Sequence, residues 1–270
     1  MPVLLRPDGA VQIGWDPRRA VLVRPPEGLT AAALAAALRG MQVPVGIAEI
    51  HRLALAHGLR DQVECDELLS ALVPAGVVRR RTRQAASRAL SIRVHGCGPL
   101  SDLLVEALRC SGARIGQTSH ANATVSASGV DLVVLSDYLV ADPRLVRDLN
   151  TGGVPHLPVR VRDGAGLVGP LVIPGVTSCL SCADLHRADR DAAWPALAAQ
   201  LRDVIGSADR PTVLATAALA LGQLQRIITA VRGLEGAGAP PATLNTTLEV
   251  DVTSTTIRSR RWSRHPRCGC

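Results

Sequence analysis

Two closely spaced cysteine pairs carry the clearest chemistry in this sequence. Cys179 and Cys182 enclose Leu180-Ser181 just after Pro174-Gly175, and Cys268 and Cys270 flank Gly269. A short turn lets both thiolates of such a pair face one ion, and two pairs supply the tetrahedral set that Zn2+ favours. A closed site of this kind leaves no open coordination position. Its expected role is therefore structural, tying the C-terminal strand to a helix that begins near Ala183. A thioredoxin-like redox pair at Cys179 and Cys182 is the competing reading. No redox βαβ context precedes it, and it leaves the second pair unexplained. Cys65, Cys97 and Cys110 read as small buried hydrophobes.

A glycine turn offers a second site. Gly96-Cys97-Gly98-Pro99-Leu100 follows the strand-like run Leu90 to His95 and precedes a helix with Leu103, Leu104 and Leu108 on one face. Strand, glycine turn and helix open a nucleotide-binding βαβ unit, whose glycines let backbone N–H groups approach phosphate at the helix N-terminus. Here Ser101 stands at the third glycine position and Pro99 removes one donor. The segment Ile115 to Val125, where a ribose-binding acid would lie, has no carboxylate. A Rossmann-like fold with a decayed pocket is the preferred reading, and ATP binding is doubtful. The run Leu185 to Asp191 places His186 among acids. Solvated or interface helix, with His186 and Arg190 on one face and Arg187 paired to Asp191, is preferred there over acid–base chemistry.

Composition narrows the chemistry further. The 270 residues include 30 Lys plus Arg, all of them Arg. The absence of lysine excludes Schiff-base catalysis, a Walker-type phosphate lysine and a lysine general base. A net charge of +7 permits nucleic-acid binding, but aromatic residues make up 1% and leave essentially no stacking platform, so a nucleic-acid partner is not expected. Two arginine runs, Arg79 to Arg93 and Arg258 to Arg267, read as solvated linker and tail. No segment resembles a signal peptide, and no uninterrupted apolar stretch reaches the length of a membrane span. Val213 to Val231, rich in Ala and interrupted by Gln223, Gln225 and Arg226, reads as a core helix. Seven cysteines without a secretion signal point to a reducing compartment, the cytoplasm.

These sites need an α/β framework in two parts. Residues 1–83 read as one or two hairpins, then helices at about 30–38, 46–57 and 65–73, then a strand at 77–79. That is a winged-helix-like module. Its third helix carries Asp66 and Glu67, with Glu64 just before it, and so suits a peptide better than DNA. An Arg-rich linker at 79–88 leads to a Rossmann-type domain at 90–270. Its expected parts are strands at 90–95, 130–135, 154–161 and 167–173, a helix at 142–149 and a final hairpin at 243–262.

The pattern Gly96 to Leu100, Asp131 to Val134, Ser136-Asp137 and Cys179 to Cys182 is similar to ThiF-like (ubiquitin-activating-enzyme-like) proteins. The longer pattern from Cys179 through His186, Asp189 and Asp191 to Trp194-Pro195, with the terminal His265 to Cys270, resembles actinobacterial leader-peptide-binding partners in thiazole/oxazole-modified microcin biosynthesis. The resemblance implies a non-catalytic adaptor that presents a precursor leader peptide to a YcaO-type cyclodehydratase in bacteriocin biosynthesis, and a homodimer. It also implies a peptide clamp in the N-terminal module, whose exposed strand edge pairs with an extended leader. That edge would lie at Val21, Leu22, Val23 and Arg24, beside a helix bearing Leu68 and Leu69. Asp137 matches the magnesium-proximal Asp of active ThiF-like adenylyltransferases, with Gly96 and Gly98 as the rest of a vestigial nucleotide pocket. The alternative function is ATP-dependent adenylation of a peptide or protein C-terminus.

Overall fold

The protein is seen here as a computed structural model. The structure describes residues 1–42, 45–59, 61–78, 89–119, 129–232 and 239–270. The chain divides into two compact units, Met1–Ala85 and Ala86–Cys270. The linker expected at 79–88 lies outside the described residues.

The first unit opens with three short strands, β1 (Val3–Leu5), β2 (Val11–Ile13) and β3 (Val21–Val23), in an antiparallel meander of that order. Alternation sorts the side chains. Val3, Val11 and Ile13 are buried, while Leu4 and Leu22, directly opposite Gln12, stay exposed. Three helices follow, α1 (Ala31–Gly40), α2 (Ile47–Ala56) and α3 (Gln62–Leu72). Thr30 caps α1 by accepting from the Ala33 N–H at 3.1 Å. Asp61 caps α3 through the Glu64 N–H at 2.9 Å, so this helix starts three residues before the expected Cys65. Leu34, Leu38, Ala54, Leu59, Cys65 and Leu69 join the inner sheet face in one core. Val77 and Val78 form no strand. Their N–H groups turn back to the Leu72 carbonyl at 3.2 and 3.4 Å and close the end of α3; Arg79 lies outside the described residues. The strands thus precede the helices in this unit.

The second unit is a mixed α/β structure around a seven-stranded sheet. Strands β4 (Ser91–His95), β5 (Arg114–Thr118), β6 (Leu132–Ser136) and β7 (His156–Arg162) are parallel. β8 (Ala165–Val168), β9 (Thr246–Asp251) and β10 (Thr256–Arg261) extend the sheet antiparallel, in the order β10-β9-β8-β7-β6-β4-β5. Every residue of β6 is buried, as a central parallel strand requires. Leu132 and Val134 enter one core with α4 (Pro99–Leu108) and α8 (Arg210–Val231). Val133 and Leu135 enter the other with Leu145, Val146 and Leu149 of α5 (Pro143–Thr151). Successive residues therefore serve opposite layers. By length and composition α8 is apolar enough to cross a membrane. Its stripe of Val213, Ala217, Ala220, Leu224 and Ile228 is buried in the core instead, as expected for a core helix.

Two elements carried too little pattern to be expected. β5 is an edge strand with no buried residue, and α7 (Trp194–Leu201) buries none either. The strand expected at 167–173 ends at Val168, and beyond it Leu171 and Val172 keep only isolated bridges to Leu244 and His156.

Candidate functional site

The four paired cysteines meet at one point. Cys179 is the N-cap of α6 (Leu180–Ala188) and Cys182 lies in its first turn. The segment after β10 carries Cys268 and Cys270 back to them. The Sγ atoms are 3.8 Å apart for Cys179–Cys182, 3.5 Å for Cys179–Cys268 and 3.4 Å for Cys182–Cys270. All four lie within 4.8 Å of one another. A tetrahedron with metal–sulfur bonds of about 2.3 Å has edges of about 3.8 Å, so the cluster is positioned to hold a metal ion with little movement. The second pair, which a redox reading of Cys179 and Cys182 left over, belongs to this same centre. Burial pushes the Cys179 thiol up. It pushes Cys182 up too, but hydrogen bonds from the His265 and Cys179 backbones outweigh it and hold that thiol below its ordinary value.

A framework that sequence reasoning missed holds the tail in place. The Arg267 N–H donates to His265 Nδ1 at 3.1 Å, so the ring proton sits on Nε2 and is donated to Asp189 Oδ2 at 2.7 Å. The Arg267 guanidinium bonds the other Asp189 oxygen. His186 donates to the Ser263 carbonyl at 3.2 Å and packs edge-on to His265, with ring centroids 4.7 Å apart. The run Leu185 to Asp191 is thus a clamp on the C-terminal segment. Arg187 pairs with Asp184 at 2.8 Å rather than with Asp191, and lies over the rings of Trp194 and Trp262. The signal available in the sequence was a histidine three residues before Cys268, paired with an acid on the helix that carries Cys182.

Gly96, Gly98 and Asp137 are brought together at the C-terminal ends of β4 and β6, where the strand order reverses. Open α/β sheets bind ligands at such a point. Both glycines are required by close approach. A Cβ on Gly96 would stand 2.3 Å from the Ser136 carbonyl, and one on Gly98 2.8 Å from Asp137 Oδ1. Asp137 takes a left-handed backbone, φ 70°, pinned by bonds to the Val159 carbonyl at 3.0 Å and from the Gly206 N–H at 3.1 Å. Its buried carboxylate accepts from the Leu100 N–H at 3.0 Å, the Ser101 N–H at 3.1 Å and the Ser101 hydroxyl. Burial raises its pKa, and these three donors partly offset the rise. The N-terminus of α4, where a phosphate would sit, therefore already holds an anion. Beside it, the crevice between His95, Ser136 and Tyr138 encloses about 10 Å³, space for one water. β5 ends at Thr118 without an acid, and residues 120–125 of the segment where a ribose-binding acid would lie are outside the described residues.

In the first unit, Val21, Leu22 and Val23 form β3, an edge strand paired only with β2 among the described residues, and Arg24 follows it. Val23 and Leu68 pack against the same core. Leu69 is itself a core residue, 6% exposed, which leaves Leu68 as the half-buried one of the two.

No protein-family model matches this chain, and no curated protein matches its sequence. Solved structures do match its fold. A heterocyclase in complex with substrate and cofactor aligns with 99% of this chain at 14% identity and a TM-score of 0.68, over 38% of its own length. The heterocyclase TruD aligns with 99% at 16% identity and a TM-score of 0.65, over 41% of its length. This chain thus spans about two fifths of those heterocyclases. E. coli MccB in complex with MccA aligns with 99% of this chain and 96% of its own length, at 12% identity and a TM-score of 0.58. The resemblance to ThiF-like proteins of microcin and thiazole/oxazole biosynthesis is met at the level of the fold, over nearly the whole chain.

Proposed function

We propose that this chain is a non-catalytic adaptor in ribosomal-peptide natural-product biosynthesis, binding a precursor's leader peptide and presenting it to a YcaO-type cyclodehydratase. The observation that carries the non-catalytic reading is the Asp137 carboxylate at the N-terminus of α4. A nucleotide phosphate would need those same N–H groups, and displacing a bonded, buried carboxylate from them is costly. The likeness of fold to solved heterocyclases supports the pathway. The leader would add a strand to the open edge of the winged-helix-like module at Val21 to Arg24, next to Leu68. Zn2+ bound by Cys179, Cys182, Cys268 and Cys270 would secure the C-terminal segment in the reducing cytoplasm, with the chain as a homodimer.

Adenylation of a peptide C-terminus is the rival. It is favoured by the full-length likeness to MccB, which was solved with ATP. Calorimetric titration of Mg-ATP into the full chain separates the two. The adaptor reading expects no saturable heat at about 1 mM nucleotide. Saturable binding that is lost in Asp137→Ala would establish the rival.

A further inference from the structure

Beyond the ends of β6 and β7 lies a cavity of about 360 Å³, a size typical of small-molecule sites. None of the four paired cysteines lines it, nor do Asp137, Leu100 or Ser101. Its apolar lining includes Leu139, Pro143, Pro170 and Trp194. The charged lining is Arg160, Arg162 and Arg187 together with the carboxylates of Asp163 and Asp184. Two of these charges are already answered. Arg162 faces Asp163 and Glu249, each at 3.6 Å, and Arg187 is paired with Asp184. Arg160 is answered only in part: among the described residues no carboxylate lies within ion-pair distance of it, and Asp184 acts on it from further away. Burial and the like charge of Arg187, opposed by Asp184, push its guanidinium down to about 10, which leaves it charged at neutral pH.

The inner end of the cavity adds to this. Arg160 also lines the adjoining crevice, where His95 Nδ1 and Arg202 Nε are buried with no hydrogen-bond partner among the described residues. Buried polar atoms are rarely left unpaired in native proteins, and a cation beside them with no directly bonded carboxylate is costlier still. A ligand that supplies one negative group and an apolar body answers the whole arrangement.

We propose that this cavity binds a small amphipathic organic anion, whose carboxylate or phosphate head pairs with Arg160 and whose apolar body lies against Leu139, Pro143 and Trp194. An Arg–oxyanion pair is bidentate and directional, which suits a fixed, half-buried guanidinium. The inference does not depend on the adaptor reading, because neither the leader edge nor Asp137 contributes to it.

The test is calorimetric titration of the full chain with phenyl phosphate, with hexanoate and with the neutral analogue hexanol, followed in parallel by Trp fluorescence, since Trp194 forms a wall. Saturable binding of at least one anion at about 1 mM or below is expected, with none for hexanol. Phenyl phosphate alone would mark a phosphate site, hexanoate alone a carboxylate site, and both a site that reads charge. Arg160→Gln should weaken binding about tenfold or more, the worth of a charge-assisted pair. If that variant fails to fold, Arg162→Gln at the exposed rim should still weaken it by about threefold. The proposal is overturned if neither anion saturates, if hexanol binds equally well, or if affinity is unchanged in the folded variant.

Discussion

Asp137 and Ser101 are bonded through both backbone and side chain: the Asp137 carboxylate accepts from the Ser101 N–H at 3.1 Å and from its hydroxyl. With the Leu100 N–H at 3.0 Å, this makes Asp137 an N-cap supplied from 37 residues along the chain. Serine at the third glycine position thus acts as a donor to the protein's own anion.

The relationship sets a stability cost. Asp137→Ala leaves the Leu100 and Ser101 N–H groups without their acceptor inside a buried site, and a destabilisation of about 2–4 kcal/mol is expected. Urea unfolding followed by circular dichroism measures it. A loss under about 0.5 kcal/mol, the level of an ordinary surface change, would show that water replaces the carboxylate without penalty.

The cysteine centre predicts one zinc per chain, retained through gel filtration. Cys268→Ser opens the tetrahedron and should lower the melting temperature by about 10 °C, in keeping with the folding energy such sites contribute. Elemental analysis and a thermal melt, with and without a strong chelator, check both parts. Full stability in metal-free protein would remove the structural role.

The His265–Asp189 bond orients the tail that carries two of the thiols. Its carboxylate is held below the usual range first by that hydrogen bond and then by the Arg267 charge. Asp189→Ala should weaken metal retention about tenfold, as loss of an orienting partner does at other metal sites. Competition with a chromophoric chelator reads this directly, with the exposed Asp163→Ala as a control expected to leave retention unchanged.

Acid should unfold the second unit partly through His156. This ring is fully buried, donates from Nδ1 to the Val154 carbonyl at 3.0 Å, and leaves Nε2 with no partner among the described residues. Burial holds its pKa at about 4, against 6.5 for an ordinary histidine. Between those values the unfolded chain binds the proton and the native one does not. The contribution is therefore whole above about pH 6.5 and lost progressively as the pH falls towards 4, reaching about 3 kcal/mol. The stability of His156→Leu should fall less steeply over that interval, and equal slopes in a pH series of urea unfolding curves would exclude the mechanism.

Local spacing determined much of this protein in advance. Cys179 and Cys182 are adjacent on one helical turn whatever surrounds them, and the Val133–Val134 alternation assigns its residues to two layers as soon as a strand forms. Glycines at 96 and 98 likewise announced a tight strand-to-helix turn. In each case the periodicity of the backbone does the sorting, and that periodicity is written in neighbouring residues. The edge strand β5 and the helix α7 stayed hidden because neither buries a residue that would mark its period. The Asp61 cap was legible in the sequence but missed.

Only the tertiary structure decided which distant residues meet. It closes a separation of 89 residues between Cys179 and Cys268 to 3.5 Å, and it moves Arg187 from Asp191 to Asp184 and two tryptophan rings. It makes Asp137 the cap of a distant helix, and it sets Arg160 on a cavity wall beyond ion-pair distance of any described carboxylate. The physical reason is the same throughout. Hydrogen bonds and ion pairs act over a few ångströms, so their partners are chosen by where the sheet order and helix packing bring the chain back, and nothing in the local pattern records that.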